Sequence, residues 1–328
     1  MKYEDITGKG VLNMQILLQL LLLVVGFVLL MKGADWFVDG AAGIADRLGI
    51  PQLVIGLTIV AMGTSLPEAA VSIASATKGS AGITIGNVLG SNIMNVLVIL
   101  GLTAVICAIP VQKSTAYVEI PFVIGITVVL SALGLMDNQV NRLEGVILWA
   151  LMIVYLVYLM RMAKNGKNEE EEQDEKKKPV WLMIVMVFVG AAMIVFGSDI
   201  TVDAASAIAK IFGMGDRLIG LTIVAFGTSL PELVTSVTAA LKGKTDIAVG
   251  NIVGSNIFNI LFVVGTTALI TSVEYSSAFL IDSIVATAAV VLLMLCVIRD
   301  KKLGRIGGIV MLLGYAGYFV YILMVQAA

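Results

Sequence analysis

One stretch of this chain is written twice. Residues 56–68 read GLTIVAMGTSLPE and residues 220–232 read GLTIVAFGTSLPE, differing only at Met62 against Phe226. The same offset of 164 residues places GNVLGSNIMN (86–95) on GNIVGSNIFN (250–259), Gly33-Ala34-Asp35 on Gly197-Ser198-Asp199, and Asp39 on Asp203. Matches held at one offset without gaps mark a duplication, so the fold must be assembled from two copies of one unit.

The solvent of that unit is lipid. Hydrophobic residues make up 59% of the 328 residues and charged residues only 13%, against roughly 45–50% and about 25% in soluble domains. Spanning a bilayer as a helix takes about 20 apolar residues. Ten runs qualify: 14–38, 52–77, 82–109, 116–136, 143–160, 180–209, 217–241, 246–271, 278–298 and 305–325. The first is read as a span and not as a cleaved leader. Lys2 and Lys9 are mixed with Glu4 and Asp5 ahead of it, and no small-residue cleavage pattern interrupts Met14 to Met31. The expected fold is an all-α membrane protein of ten transmembrane helices. A charged stretch at 161–179, with Glu169 to Glu172 and Lys176 to Lys178, lacks apolar periodicity and reads as a solvated linker. The chain then divides into a five-helix repeat at 1–160, the linker, and a second five-helix repeat at 180–328.

Five spans per copy is an odd number, so the second copy enters the membrane from the opposite side. Such inverted repeats are typical of secondary transporters. Lys and Arg follow the same logic. With the N-terminus outside, and with Arg217 and Arg305 at the very start of their spans counted with the adjoining loops, 14 of them fall on the cytoplasmic side and 6 on the other, Lys32 lying within the first span. Positive charge collects on the cytoplasmic face. The expectation is a multi-pass protein of the inner (plasma) membrane with both termini outside and the 161–179 loop cytoplasmic. Lys78 and Lys242 hold equivalent repeat positions on opposite faces, so the bias comes from outside the repeated motifs.

Several chemistries are excluded. A net charge of -2 offers nothing to nucleic acid, and the chain contains no histidine, the usual metal ligand and proton shuttle. Cys107 and Cys296 both sit in apolar runs, which supports neither a disulfide framework nor a thiolate site. What stands out is Glu68 and Glu232, carboxylates deep inside spans, where ionisable groups are costly and mark function. Thr64 and Ser65 precede Glu68, and Thr228 and Ser229 precede Glu232, at spacings of four and three that share a helical face. Pro67 and Pro231 remove a backbone donor and clash one turn back, with Gly63 and Gly227 loosening the same turn. Both helices should break there and free carbonyls near Ala61 and Ala225. Irregular backbone at that depth is tolerated where it lines a polar cavity. Carboxylates, hydroxyls and carbonyls form a hard oxygen set suited to calcium or sodium rather than zinc or copper.

A polar stripe spaced by four adds to it: Asn87, Ser91 and Asn95, repeated as Asn251, Ser255 and Asn259. The same segments carry Gly86-x-x-x-Gly90 and Gly250-x-x-x-Gly254, which by themselves mean close helix packing. Asp35, Asp39, Asp199 and Asp203 lie near span ends, where they either draw cations toward a vestibule or are simply solvated; they are not placed in the site.

GTSLPE at 63–68 and 227–232, with GSNIMN at 90–95 and GSNIFN at 254–259, resemble the two alpha repeats of the cation/calcium exchanger superfamily, in its prokaryotic sodium/calcium branch. The resemblance covers all ten spans. It implies ion ligation by Thr64, Ser65, Glu68, Ser91 and Asn95 in the first copy, by Thr228, Ser229, Glu232 and Ser255 in the second, and by the main-chain carbonyls of Ala61 and Ala225. Asn259, at the last position of the second stripe, stands where several relatives, including potassium-dependent ones, carry Asp; this departure argues against potassium dependence. The 161–179 loop is too short for the calcium-sensing domains of animal relatives.

The expected function is an antiporter exchanging sodium for calcium by alternating access, not an enzyme. Its partners would be calcium and sodium ions and the lipid bilayer, with no cofactor, no nucleic acid and no obligatory protein partner. Two carboxylates balance one Ca2+ or two Na+. A calcium/proton antiporter is the alternative, using the same glutamates. A passive cation channel is a further one, although carboxylate rings usually arise from symmetry around a pore. An intramembrane hydrolase is a third, but Ser65 and Ser229 have no histidine partner, so a Ser–His nucleophile system is impossible.

Overall fold

The computed structural model describes residues 2–77, 82–165, 179–213 and 225–327. The first half begins with α1 (Lys2–Leu48), which is followed by the short α2 (Gln52–Thr64) and α3 (Leu66–Thr77). Next come α4, running from Gly82–Met94 through a π-helical turn at Asn95–Leu100 into Gly101–Ile106, then α5 (Thr115–Asp137) and α6 (Arg142–Asn165). The second half contains α7 (Val180–Ile211), α8 (Ala225–Thr228), α9 (Leu230–Leu241), α10 (Thr245–Ile270), α11 (Phe279–Ile298) and α12 (Arg305–Ala327). Four two-residue strands lie between helices: β1 (Ile109–Pro110), β2 (Gln139–Val140), β3 (Val273–Glu274) and β4 (Lys302–Leu303).

Among the described residues, eight helices are long and apolar enough to cross a membrane, and the bent pair α2–α3 raises this to nine. The expected span 217–241 lies partly outside the described residues, as does most of the linker; α8 and α9 are the described part of that span. Two boundaries differ from expectation. Helix α6 continues to Asn165, into the stretch assigned to the linker, and α1 extends over 47 residues, about 70 Å at 1.5 Å per residue against a hydrocarbon core of about 30 Å. No proline closely follows either expected end, and Gly40, two residues past 38, packs against Met183 within the continuing helix.

Burial sorts the helices by role. In α10, 94% of the apolar span is buried within the protein, and in α4 72%, against 11% in α1. Helices surrounded by protein can carry polar side chains; helices facing lipid cannot. The Asn and Ser stripes lie on α4 and α10, whereas α1 presents Leu17, Leu21, Val24, Val28 and Met31 outward.

The two halves interlock. Helices α1 and α7 pack antiparallel along a glycine seam, Gly26 against Gly197 and Gly33 against Gly190, with Gly40 against Met183. A Cβ on Gly33 would lie 2.8 Å from the Gly190 carbonyl oxygen, and one on Gly197 2.8 Å from the Leu30 nitrogen, closer than real side chains approach. The glycines recur every seven residues on both helices, a spacing near a whole number of turns that keeps them on one stripe. At the helix connections β1 pairs with β4 and β2 with β3, each ladder joining one half to the other. The offset of 164 carries β1 onto β3. Helix α5, 23 residues long, separates β1 from β2, so these corresponding connections stand at opposite ends of the bundle.

Candidate functional site

The site is built where α2 gives way to α3. Ser65 drops out of helical geometry at φ -84 and ψ 8, and the two segments meet at 48°. Pro67 occupies the first turn of α3, where a missing N–H costs little, and Glu68 follows in the same turn, beside the positive end of the helix dipole. The second half repeats this. Ser229 sits at φ -91 and ψ 3 ahead of Pro231 and Glu232. Both proline-containing turns read Ser-Leu-Pro-Glu, a capping-box sequence, yet Ser229 makes no side-chain cap bond and Ser65 turns elsewhere. The hydroxyls have been diverted from the backbone to the interior.

Their destination is the opposite half. Ser65 Oγ donates to Glu232 Oε1 at 2.9 Å across 167 residues of sequence, and Thr64 Oγ1 donates to Asn251 Oδ1 at 3.0 Å. Ser91 Oγ donates to Glu68 Oε1 at 3.3 Å and lies 3.4 Å from Ser229 Oγ. Thr64 and Ser65, expected on one helical face with Glu68, both send their hydroxyls to residues of the other copy. Asn87 Nδ2 donates to the Glu68 carbonyl and to Ser72 Oγ at 3.2 and 3.0 Å; Asn251 Nδ2 does the same to the Glu232 carbonyl and Ser236 Oγ at 3.4 and 2.9 Å. These two asparagines hold the backbone of the glutamates.

Glu68, Glu232, Asn95 and Asn259 have no exposed surface, and among the described residues each keeps one oxygen without a hydrogen-bond partner: the two Oε2 and the two Oδ1 atoms. Buried polar atoms are rarely left so, and a buried carboxylate needs a compensating charge. One such carboxylate oxygen and one such amide oxygen come from each half, donors of the hard kind that suit a small cation. Ser255, also buried, donates to the Ala61 carbonyl at 3.4 Å.

The Ala61 carbonyl does not stand free, as expected of a broken helix. It accepts the Ser65 N–H at 3.1 Å and Ser255 Oγ at 3.4 Å, and shares the Thr64 hydroxyl, at 3.3 Å, with the nearer Asn251 Oδ1. In the second half the Ser229 N–H donates to the Phe226 carbonyl at 3.2 Å, so the two breaks are not identical. Ala225 opens α8 and Thr228 closes it. The carbonyl that Pro231 leaves without its amide, that of Gly227, is capped by Ser198 Oγ of α7 at 2.8 Å; the equivalent of Ser198 in the first half is Ala34, which has no hydroxyl.

The vestibule aspartates lie elsewhere. Lys242, just past α9, bridges Asp35 at 3.2 Å and Asp39 at 2.8 Å, tying α9 to α1. Partial burial pulls the ammonium pKa down, but the hydrogen bonds and charges of Asp39 and Asp35 outweigh this and raise it above its ordinary value. Asp199 and Asp203 are exposed on α7. Three buried polar groups are not among the residues assigned to the site. Glu119, fully buried on α5, accepts the Tyr158 hydroxyl; its place in an apolar span is the signal that could have found it. Asn92 and Asn256, buried beside the stripes, sit one position off the spacing of four.

The chain matches the model of the sodium/calcium exchanger protein family over residues 18–161 and 182–324. It is 42% identical over 304 residues to a putative antiporter, CaxA, of Alkalimonas amylolytica, covering 90% of this chain and 95% of the relative. It is 35% identical over 321 residues to the inner membrane protein YrbG of Escherichia coli, covering 94% and 97%. The sodium/calcium exchanger MaX1 of Methanosarcina acetivorans is 31% identical over 345 residues, covering 92% and 97%. Among solved structures, the sodium–calcium exchanger NCX_Mj soaked with sodium superposes with a TM-score of 0.81 at 33% identity, covering 93% of this chain and 99% of that one.

Proposed function

The chain belongs to the sodium/calcium exchanger protein family, a family of membrane antiporters for calcium and other cations, and from that premise we propose that it exchanges sodium for calcium by alternating access. The proposal has ten spans in two inverted repeats of five, termini outside and the 161–179 loop cytoplasmic. Calcium is carried among Glu68, Ser91, Asn95, Thr64 and Ser65 of one copy and Glu232, Ser255, Asn259, Thr228 and Ser229 of the other, together with the Ala225 carbonyl and with the Ala61 carbonyl once its present donors turn away.

The observation that carries this is the pair of unpartnered carboxylate oxygens, one from each half, in a site with no exposed surface. Two negative charges balance one Ca2+ or two Na+, so the two cations exclude each other from shared ligands and exchange follows without a separate coupling device. The α1–α7 pair, locked by its glycine seam, is suited to move as one body against α4 and α10, which hold the ligands.

Reconstituted vesicles test the proposal. Calcium uptake is expected when sodium is loaded inside and diluted outside, and none from a pH gradient of equal driving force. Uptake driven by the pH gradient alone would make the chain a calcium/proton antiporter, and uptake that needs neither gradient would make it a passive pathway.

A further inference from the structure

We propose that Asn92 and Asn256 are positioning residues that turn the side-chain oxygens of Asn259 and Asn95 toward the transported cation. The inference rests on the ion site proposed above and adds to it two residues that make no contact with the ion.

A carboxamide has a donor end and an acceptor end of nearly the same shape, so which end faces a cation must be set by its neighbours. Here the setting begins at a group with no ambiguity. Asn92 Nδ2 donates to the backbone carbonyl of Asn256 at 3.2 Å. A carbonyl can only accept, so the Asn92 amide has one orientation, with Oδ1 on its other side. Asn92 Oδ1 in turn receives Asn259 Nδ2 at 3.1 Å. The donor end of Asn259 is thereby committed, and Asn259 Oδ1 is left buried and without a partner. The mirror chain runs through the other copy: Asn256 Nδ2 donates to the Asn92 carbonyl at 3.3 Å, Asn95 Nδ2 donates to Asn256 Oδ1 at 3.0 Å, and Asn95 Oδ1 is left unpartnered. All four asparagines are at most 4% exposed, so water does not compete for these bonds.

The arrangement solves a problem of the site. Unheld, an amide beside two carboxylates turns its N–H groups to them, since hydrogen bonds to a charged acceptor are the strongest on offer. It would then meet a cation with its positive end. Asn92 and Asn256 remove that alternative by occupying the N–H groups, and because each is anchored on the other's backbone, the two halves set each other's ligands. The apparent affinity of a site falls in proportion to the fraction of molecules in the competent orientation.

The test is calcium binding by titration calorimetry on the purified full-length protein, which does not depend on the coupling ion, together with uptake kinetics in vesicles. Asn92→Leu removes the acceptor that holds Asn259. The expected result is a Kd for calcium raised about tenfold or more, with a higher half-saturating concentration and a maximal uptake rate within about twofold of the parent. An aspartate presents oxygen on both branches and needs no orienting partner, so Asn259→Asp added to Asn92→Leu should recover most of the affinity, measured against Asn259→Asp alone. A purely structural role for Asn92 would lower the folded yield and gain nothing from the second change. Should Asn92→Leu fail to fold, Asn92→Asp in its protonated form keeps an acceptor for Asn259 and an O–H donor for the Asn256 carbonyl, and should leave calcium affinity no weaker than the parent. The inference is overturned if Asn92→Leu binds calcium within twofold of the parent, if the double variant binds no better than Asn92→Leu, or if Asn92→Asp weakens binding tenfold. A parent protein that binds no calcium overturns the proposed function and this inference together, whereas a parent that binds it alongside an unaffected Asn92→Leu overturns this inference alone.

Discussion

Replacing Glu232 by glutamine changes one charge and almost nothing else. Glu232 has no exposed surface, Oε1 accepts from Ser65 at 2.9 Å and Oε2 has no partner. Glutamine fills the same volume, and its carbonyl oxygen can keep the Ser65 bond. At about 4 Å and an effective dielectric of about 20, two unit charges interact by about 4 kcal/mol, so a divalent ion loses about 8 and a monovalent ion about 4 kcal/mol of attraction. Allowing the amide oxygen and relaxation of the site to return about half, the net loss is about 4 kcal/mol for calcium and about 2 for sodium, or roughly 1000-fold and 30-fold in Kd. The variant should therefore bind calcium too weakly to exchange it and prefer sodium more than the parent does, while folding and inserting normally. Calorimetric titration with calcium, repeated with sodium, measures both terms, and thermal unfolding in detergent verifies the fold. A calcium Kd within tenfold of the parent, or equal losses for the two ions, would refute the charge argument.

Asn259→Asp is nearly isosteric and puts a third carboxylate beside Glu68 and Glu232, so a proton or an extra monovalent cation must join calcium; steeper pH dependence or new potassium dependence of uptake is expected, and unchanged ion dependences would remove position 259 from the site. Gly197→Ala places a Cβ 2.8 Å from the Leu30 nitrogen and 2.9 Å from the Gly26 carbonyl oxygen, an overpacking that should cost about 1–3 kcal/mol; an unchanged Tm would show the α1–α7 seam to be loose. Lys242→Met should lower stability by less than about 1 kcal/mol, since Asp35 and Asp39 are more than a third exposed. The sign with pH follows from the raised lysine pKa: its contribution is complete below the ordinary value of 10.5 and is lost as pH rises through the higher folded-state value. Unfolding followed from neutral to strongly alkaline pH should thus show the parent converging on the variant, and a constant gap would count against the ion pairs.

Much of the candidate site is legible in the sequence because lipid makes polarity conspicuous. A glutamate, a serine or an asparagine in an apolar span has no solvent to satisfy it, so Glu68, Glu232 and the stripes on α4 and α10 identify themselves. The hidden part concerns partners. Asn92 and Asn256 stand in the same segments, but their function depends on each other's backbone across 164 residues, and no spacing rule along one helix reports such a contact. Glu119 also stands in an apolar span, yet only the fold reveals the Tyr158 hydroxyl that partners it.

By itself the sequence determined what is local or repeated: the duplication, the helical runs, the prolines that interrupt them and the chemical class of the donors. These depend on composition and on spacings of a few residues, which fold the same way wherever the segment lies. The tertiary structure decided which atoms meet. Ser65 bonds to the distant Glu232 and not to the Glu68 three residues on, a contact that exists only once the two halves are packed together. Gly26, Gly33, Gly190 and Gly197 became a seam only when α1 and α7 packed antiparallel. The Ala61 carbonyl, freed on paper by a broken helix, found three donors in the fold. Two copies of one sequence unit supply identical groups twice, and only their packing against each other decides which group of one serves the other.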